Sequence, residues 1–389
     1  MIRSTVAHVD LAALQDNFRA IQTFLSDHAG AAAAAGGAVP SGTPCSPRNI
    51  AVVKANAYGH GAEPVALSLE QAGATMLACA DIEEAVVLRC AGVRVPILIF
   101  GALSVSDLDG LFEYSLTPTI STPAAAGAVQ AAATRRGAPI GYHLKIDTGM
   151  NRLGFRHDNL RRTLPGLLAT ANLRLDGVYT HFATADDPES PLFNDQRVRF
   201  DAAVTVIEEL GGRPAMTHAA NSAALLRDSR VWRDAVRPGL LMYGIVPPPL
   251  ASTIPLKPVM SLTSRVVAVK GVRPGEGVGY GWRFIAPAPA TIAVVPAGYA
   301  DGLDTRLSGR GHVLIRGRRV PIVGAISMDM MAVDVTGLDV EPGDEVVIIG
   351  RQGDESWQRI DAREMAAAIG TIPWEIVCRI GARIERQYS

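Results

Sequence analysis

The chain has 389 residues, of which 48% are hydrophobic, with 37 basic residues balancing 38 acidic ones. Such a length exceeds the roughly 100–200 residues of a common domain and implies two domains, or a barrel with an appendage. Scattered, balanced charge argues against nucleic acid or a membrane surface as partner, and no apolar run approaches the roughly 18–20 residues of a membrane span. The opening residues also lack the apolar core of a secretory leader, so a cytoplasmic protein with a small-molecule partner is expected. Cys45, Cys79, Cys90 and Cys378 form no CxxC pair, which removes a zinc cluster or a disulfide framework, and no metal is expected.

Residues Ala31 to Pro47 read AAAAAGGAVPSGTPCSP, a breaker-rich stretch without hydrophobic periodicity, expected as a surface loop of no assigned role. Short Val/Ile/Leu-rich runs then recur at 50–54, 76–80, 97–101, 116–120, 142–147, 175–181, 216–219 and 236–243. Stretches of helical length separate them, at 62–73, 81–91, 122–136 and 193–211. Alternation of strand and helix predicts an α/β fold with a parallel sheet, and eight such units match a (β/α)8 TIM barrel. Prolines at 247–249, 255 and 258 then mark a linker. Beyond it, runs at 262–269, 291–295, 313–316, 331–335 and 346–349 are divided by Gly, Pro and Asp turns, with helices expected only at 361–369 and 375–380. The prediction is a barrel over 1–250 followed by a smaller, mainly β domain over 251–389.

Polar chemistry collects at the ends of the barrel runs. AVVKANAYGHG places Lys54 at the end of the first run; a desolvated amine there has a depressed pKa and can condense with an aldehyde cofactor. From position alone, a lysine snorkelling to solvent is the commoner outcome. HLKIDTGMNRLGF ends the fifth run with Lys145, Asp147 and Arg152, and an ion pair of Asp147 with a nearby base fits equally well. YTHFATAD sets His181 after the sixth, where a hydrogen-bonded core histidine is the ordinary alternative. HAANSAA sets Asn221 and Ser222 after the seventh; Ser222 reads as a helix N-cap, although free amides there would also accept a phosphate. AVRPGLLMYG adds Arg237, Gly239 and Leu240 after the eighth. Groups at the ends of five runs are what one site at the mouth of a barrel requires.

These segments, with GYGWRF, PAGYADG and ISMDMM, closely resemble the alanine racemase family of fold-type III pyridoxal-phosphate enzymes, in the family's order along almost the whole chain. The resemblance implies racemisation of L- and D-alanine, an isomerase reaction that supplies D-alanine for peptidoglycan, in a homodimer with shared active sites. It implies that Lys54 holds pyridoxal 5'-phosphate and acts as base on one face of the substrate carbon. Tyr280, from the β domain of the other subunit, would be the acid on the opposite face, assisted by His181. Arg237 would contact the pyridine nitrogen, where a cation opposes protonation and weakens the ring as an electron sink. Tyr58, Asn221, Ser222, Gly239, Leu240 and Trp374 would lie at the cofactor, several of them at its phosphate. Arg152 would meet both the cofactor's phenolic oxygen and the substrate carboxylate. Met328, Asp329 and Tyr299 would reach the substrate or its access corridor from the partner, and Lys145 matches a lysine often carbamylated.

The chain also departs from the pattern. Pro373, Trp374 and Glu375 stand where asparagine, tyrosine and glutamate are common, and an indole offers an N–H but no hydroxyl. Thr305 and Ala325 replace arginines seen in some access corridors. A serine or broad-specificity racemase is the alternative closest to this reading. A fold-type III decarboxylase would need an acidic residue at the pyridine nitrogen and a cysteine acid, which Arg237 and Tyr280 oppose, and a non-catalytic cofactor carrier would lack the β domain.

Overall fold

The computed structural model describes residues 4–34, 46–103, 108–353 and 358–389. After β1 (Val6–Val9), eight parallel strands close into the expected barrel: β2 (Arg48–Val52), β3 (Met76–Cys79), β4 (Ile97–Ile99), β5 (Thr117–Ile120), β6 (Ile140–Asp147), then, past the two-residue β7 (Phe155–Arg156), β8 (Leu173–Tyr179), β9 (Met216–Asn221) and β10 (Ala235–Arg237). Pairing of Ala235 with Arg48 and of Thr119 with His143 completes the ring. Helices Ala62–Gln71, Ile82–Cys90, Pro123–Arg136 and Leu192–Glu209 occupy the anticipated intervals. Two start on side-chain caps, with Asp81 accepting from the Glu84 N–H and Thr122 from the Ala125 N–H.

The strands are buried on both faces, and alternate residues separate two environments. Ala51, Val53, Leu77, Cys79, Ile97, Ile99 and Val236 join the large core shared with the helices. Ile50, Val52, Ala78, Leu98 and Ala235 form a second, small cluster inside the barrel. That apolar filling covers only one side of the interior. On the other, His143, Lys145, Tyr179, His218 and Arg237 are all buried and alternate with strand residues of the outer core such as Leu144, Val178, Ala219 and Val236. Buried cations are costly unless paired, so this half of the barrel is a site rather than filling.

Three expectations change. The eighth run is strand only to Arg237; Pro238 has no N–H to continue a ladder, and Leu240–Tyr243 is a 3-10 turn. The stretch from Ala31 is partly helix, because Leu11–Ala34 is one helix; residues 35–45 lie outside the described residues. The boundary at 250 is also crossed. β1 belongs to the second sheet, antiparallel to the strand Met260–Arg265 (Val6 opposite Thr263) and parallel to Glu385–Tyr388 (Val6 opposite Glu385). Four residues carry too little periodicity to announce a partner more than 250 positions away. That sheet has ten strands, nearly all antiparallel, and the helix after it spans Pro373–Cys378, its proline at the first turn starting it before the expected 375.

Candidate active site

A cavity of ≈ 590 Å³ opens at the carboxyl ends of the barrel strands. Lys54, Tyr58, Lys145, Arg152, His181, Asn221, Ser222, Arg237, Gly239, Leu240 and Trp374 all line it, so the residues selected after five separate runs, and Trp374 from the second domain, converge on one space.

Lys54 stands two residues beyond β2, and the chain after it turns left-handed, with φ of 54°, 53°, 53° and 52° at Ala55, Asn56, Ala57 and Tyr58. Each such residue costs roughly 1–2 kcal/mol, so the surroundings must impose the turn. Glu84 accepts the Ala55 N–H at 2.6 Å and the Ala80 N–H at 2.9 Å with its two oxygens. Asn56 accepts the Ala62 N–H at 2.7 Å, and Arg386 donates to the Gly59 carbonyl at 2.8 Å. A Cβ on Gly59, whose φ is +81°, would run into the Val377 carbonyl. Held in this way, the Lys54 amine is desolvated and lies near Arg152 and Arg237, and its pKa is lowered by burial first and by those cations second.

The floor of the cavity offers groups without protein partners. No hydrogen bond from the Tyr58 hydroxyl occurs among the described residues, and a Cβ on Gly239 would come within 2.5 Å of that oxygen. Asn221, not Ser222, caps the helix Ser222–Arg227, accepting the Ala224 N–H at 2.9 Å. The Ser222 hydroxyl is thereby released to accept the Gly239 N–H at 3.0 Å and keeps its own proton to donate. Asp147 makes no ion pair among the described residues. It accepts the N–H groups of Gly149 and Asn151 and so shapes the loop that presents Arg152.

Charge dominates the cavity: Lys54, Lys145, Arg152 and Arg237 face one carboxylate, Asp186. Arg152 has no hydrogen-bonding or ionic partner among the described residues. Burial, then the neighbouring arginines, pushes the Lys145 amine down to about 8, and its Nζ lies 5.3 Å from the centre of the Tyr179 ring. Arg237 is 3% exposed. Its Nη2 donates to the carbonyls of Thr180 (2.7 Å) and Ala219 (2.9 Å), and its Nη1 to Nδ1 of His218 (2.8 Å). Of its five N–H donors, Nε–H and one Nη1–H keep no acceptor among the described residues. His181 Nδ1 lies 3.5 Å from Nη2, and burial with four nearby cations holds His181 neutral. Glu84, His218 and His143, to which His218 is hydrogen-bonded, escaped the sequence reading. Their signal was only a polar residue at a buried strand or helix position.

Tyr280, Met328, Asp329 and Tyr299 do not enter this cavity. Tyr280 opens a 3-10 turn between the short strands Gly277–Val278 and Phe284–Ile285 and is 78% exposed. The carbonyls of Ser327 and Met328 accept the N–H groups of Tyr299 and Ala300, and a Cβ on Gly298 would strike both carbonyls. Those contacts set PAGYADG against ISMDMM, with Asp329 bound to Arg383 at 2.6 Å. Tyr280, Ala325, Ser327 and Met330 share a second hollow of ≈ 840 Å³. Trp282, Met328, Met330 and Tyr299 are exposed as well. One chain therefore displays two separate features, a cationic cavity and an exposed aromatic face.

Fold and cavity together define a two-domain α/β-barrel protein with a desolvated lysine among other cations at the barrel mouth. The profile of the alanine racemase N-terminal domain matches residues 42–247, and that of the alanine racemase C-terminal domain matches 259–388. The alanine racemase of Symbiobacterium thermophilum is 40% identical, covering 100% of this chain and 98% of its own, and that of Nostoc sp. is 39% identical, covering 97% and 94%. Among solved structures, the alanine racemase of D-cycloserine-producing Streptomyces lavendulae superposes with a TM-score of 0.91 at 34% identity, covering 100% and 98% of the two chains. That of Bacillus anthracis with bound L-Ala-P gives 0.86 at 36% identity, covering 100% and 96%. The chain belongs to the alanine racemase family, a family of amino-acid isomerases.

Proposed function

We propose that this enzyme interconverts L- and D-alanine with pyridoxal 5'-phosphate held on Lys54, and that Lys54 and the Tyr280 of a second copy are the two proton-moving groups. The observation that carries the reading is the set of unspent groups in one cavity: four cations against one carboxylate, a Tyr58 hydroxyl without a partner, and two spare N–H donors on Arg237. These fit a phosphorylated pyridine aldehyde. Tyr58, Ser222 and the backbone at Gly239 and Leu240 would hold its phosphate, and the Trp374 indole would close the same end. Arg237 would donate to its ring nitrogen, and Arg152 would bind its phenolic oxygen and the substrate carboxylate. When bound, the cofactor withdraws electron density from the substrate α-carbon and so acidifies its hydrogen.

The chain's own groups then move the proton. Burial lowers the pKa of Lys54 and so favours the neutral amine, the form able to take the proton from one face of the carbon. On the opposite face the Tyr280 hydroxyl gives a proton back, and the Nε2–H of His181 stabilises the phenolate that remains. Met328, Asp329 and Tyr299, on the same exposed face as Tyr280, would line the approach. This reading requires a homodimer, because Tyr280 lies outside the Lys54 cavity of its own chain. D-alanine made in the cytoplasm would serve peptidoglycan synthesis. Lys145 would carry a carbamate: its neutral amine attacks carbon dioxide, an N–C bond forms, one proton leaves to water, and the resulting anion braces Arg152.

The protein loaded with pyridoxal phosphate should show the visible band of a lysine-bound cofactor, and Lys54→Ala should abolish both band and racemisation. A band that survives in Lys54→Ala sinks the assignment. A panel of L- and D-amino acids assayed with the wild type separates an alanine enzyme from one acting on serine or a broader range.

A further inference from the structure

Behind Arg237, away from the cavity mouth, two histidines continue its hydrogen bonds into the barrel. Nδ1 of His218 lies 2.8 Å from Nη1 of Arg237, and Nε2 of His218 lies 2.9 Å from Nδ1 of His143. A guanidinium only donates, so Nδ1 of His218 must be bare. A neutral His218 then carries its proton on Nε2 and gives that hydrogen bond to His143, which in turn must keep Nδ1 bare and its proton on Nε2. Arg237 thus fixes the tautomer of both rings.

The rings are held by shape as well as by hydrogen bonds. His218 stacks on Tyr179, with centroids 4.8 Å apart and planes 7° from parallel, and the Tyr179 hydroxyl is anchored on Thr119 at 3.0 Å. Behind His143, a Cβ on Gly177 would come within 2.7 Å of the imidazole, so only glycine leaves room for that ring. His218 is 0% exposed and His143 1% exposed. The charged groups around them are Arg237 and Arg48 for both and Asp176 for His143; burial and the cations keep both rings neutral, with His143 down at about 4.

We infer that His143 is a positioning residue: by accepting from His218 it holds that ring so that its bare Nδ1 takes one N–H of Arg237, which aims the spare N–H donors of the guanidinium into the cavity. With two carbonyls and one imidazole nitrogen as acceptors, the guanidinium has no freedom to rotate, and no carboxylate touches it to neutralise its charge. An aspartate in place of His218 would also orient the arginine, but it would cancel the field that the cavity needs. A neutral imidazole pair orients without discharging. The catalytic consequence rests on the reading of Arg237 as the partner of the cofactor's ring nitrogen, whereas the tautomers do not.

Long-range 15N–1H NMR of the cofactor-free protein, labelled at its 8 histidines and assigned with His143→Asn and His218→Asn, reads those tautomers directly. Both rings should be neutral with the proton on Nε2 throughout pH 5–8. A charged His218, or one protonated on Nδ1, overturns the inference whatever the cofactor does. In the loaded enzyme, His143→Leu should lower kcat about tenfold or more with KM for alanine little changed, as for other residues that orient a first-contact group. It should also displace the pH at which the visible band changes. His143→Asn, whose Oδ1 can accept at the position of Nδ1, should recover most of kcat, and Gly177→Ala, which displaces the ring while keeping it, should mimic His143→Leu. Equal impairment by Leu and Asn, or wild-type kcat in His143→Leu, would show that the ring only fills space. Should Lys54→Ala leave the visible band untouched while the tautomers are as stated, the cofactor reading fails and the histidine chain stands.

Discussion

At the scale of single residues, Lys145 shows how burial creates reactivity. Its amine has no carboxylate partner among the described residues, stands near two arginines and is pushed down to about 8, so an appreciable neutral fraction is present at neutral pH. Native intact-mass measurement should show one carbon dioxide more per chain in bicarbonate-containing than in carbonate-free buffer, a difference absent in Lys145→Ala; the same mass in both buffers would remove the carbamate. Lys54, Arg152 and Arg237 were legible from sequence because each is a cation at, or a few residues beyond, the carboxyl end of a barrel strand. His143 and His218 were not. Each alternates with apolar neighbours inside a strand, and only the registers of β6 and β9 on the intervening β8, which no local pattern encodes, bring the two rings together.

Among the local elements, the left-handed turn at 55–58 is the least expected, since alanine, asparagine and tyrosine carry no turn signal comparable to glycine. The turn is imposed from outside by one carboxylate that joins it to the end of β3. Glu84→Ala should therefore destabilise the fold by about 2–4 kcal/mol, the loss of two hydrogen bonds to a charged acceptor, and should weaken cofactor retention more than Glu84→Gln does, because the amide keeps one acceptor oxygen. Thermal melts and dialysis against buffer measure both, and a variant that melts and retains cofactor like wild type would mean that the turn is self-sustaining. Helices were predictable where caps and periodicity coincide, as at Asp81 and Thr122. The strand 236–243 was over-extended because an apolar composition continued past Pro238 while the backbone chemistry did not.

For the molecule as a whole, the separation of Tyr280 from Lys54 gives a complementation test. Lys54→Ala and Tyr280→Phe should each be inactive alone, and refolding them together should restore about one quarter of wild-type activity, since half the dimers are mixed and each has one intact site. No recovery would place both groups in one chain's site. Stability has its own pH signature. His60 and His143 are held at about 4 against 6.5 in an open chain. Between those values the unfolded chain binds more protons, so stability is full above pH 6.5 and falls as pH drops towards 4. The loss is at most about 3 kcal/mol for each ring. The Asp304 carboxylate, held near 2 against 3.8 by Arg306, acts only below that window. A melting temperature flat from pH 7 to 4.5 would contradict the two buried neutral rings. The two-domain order was legible in the change of texture after Tyr243, whereas the membership of β1 was not, because it rests on pairing across nearly the whole sequence.

That first strand has a consequence for synthesis. β1 is made before the other described strands, yet both of its neighbours, Met260–Arg265 and Glu385–Tyr388, come after the entire barrel. The barrel strands at 48–237 can close while the ribosome is still working. Residues 6–9 meanwhile wait as an unpaired strand, and the sheet of the second domain is sealed only when the late strand arrives. Loss of β1 would thus be felt last in time and far along the chain, as an open edge in the domain that carries Tyr280.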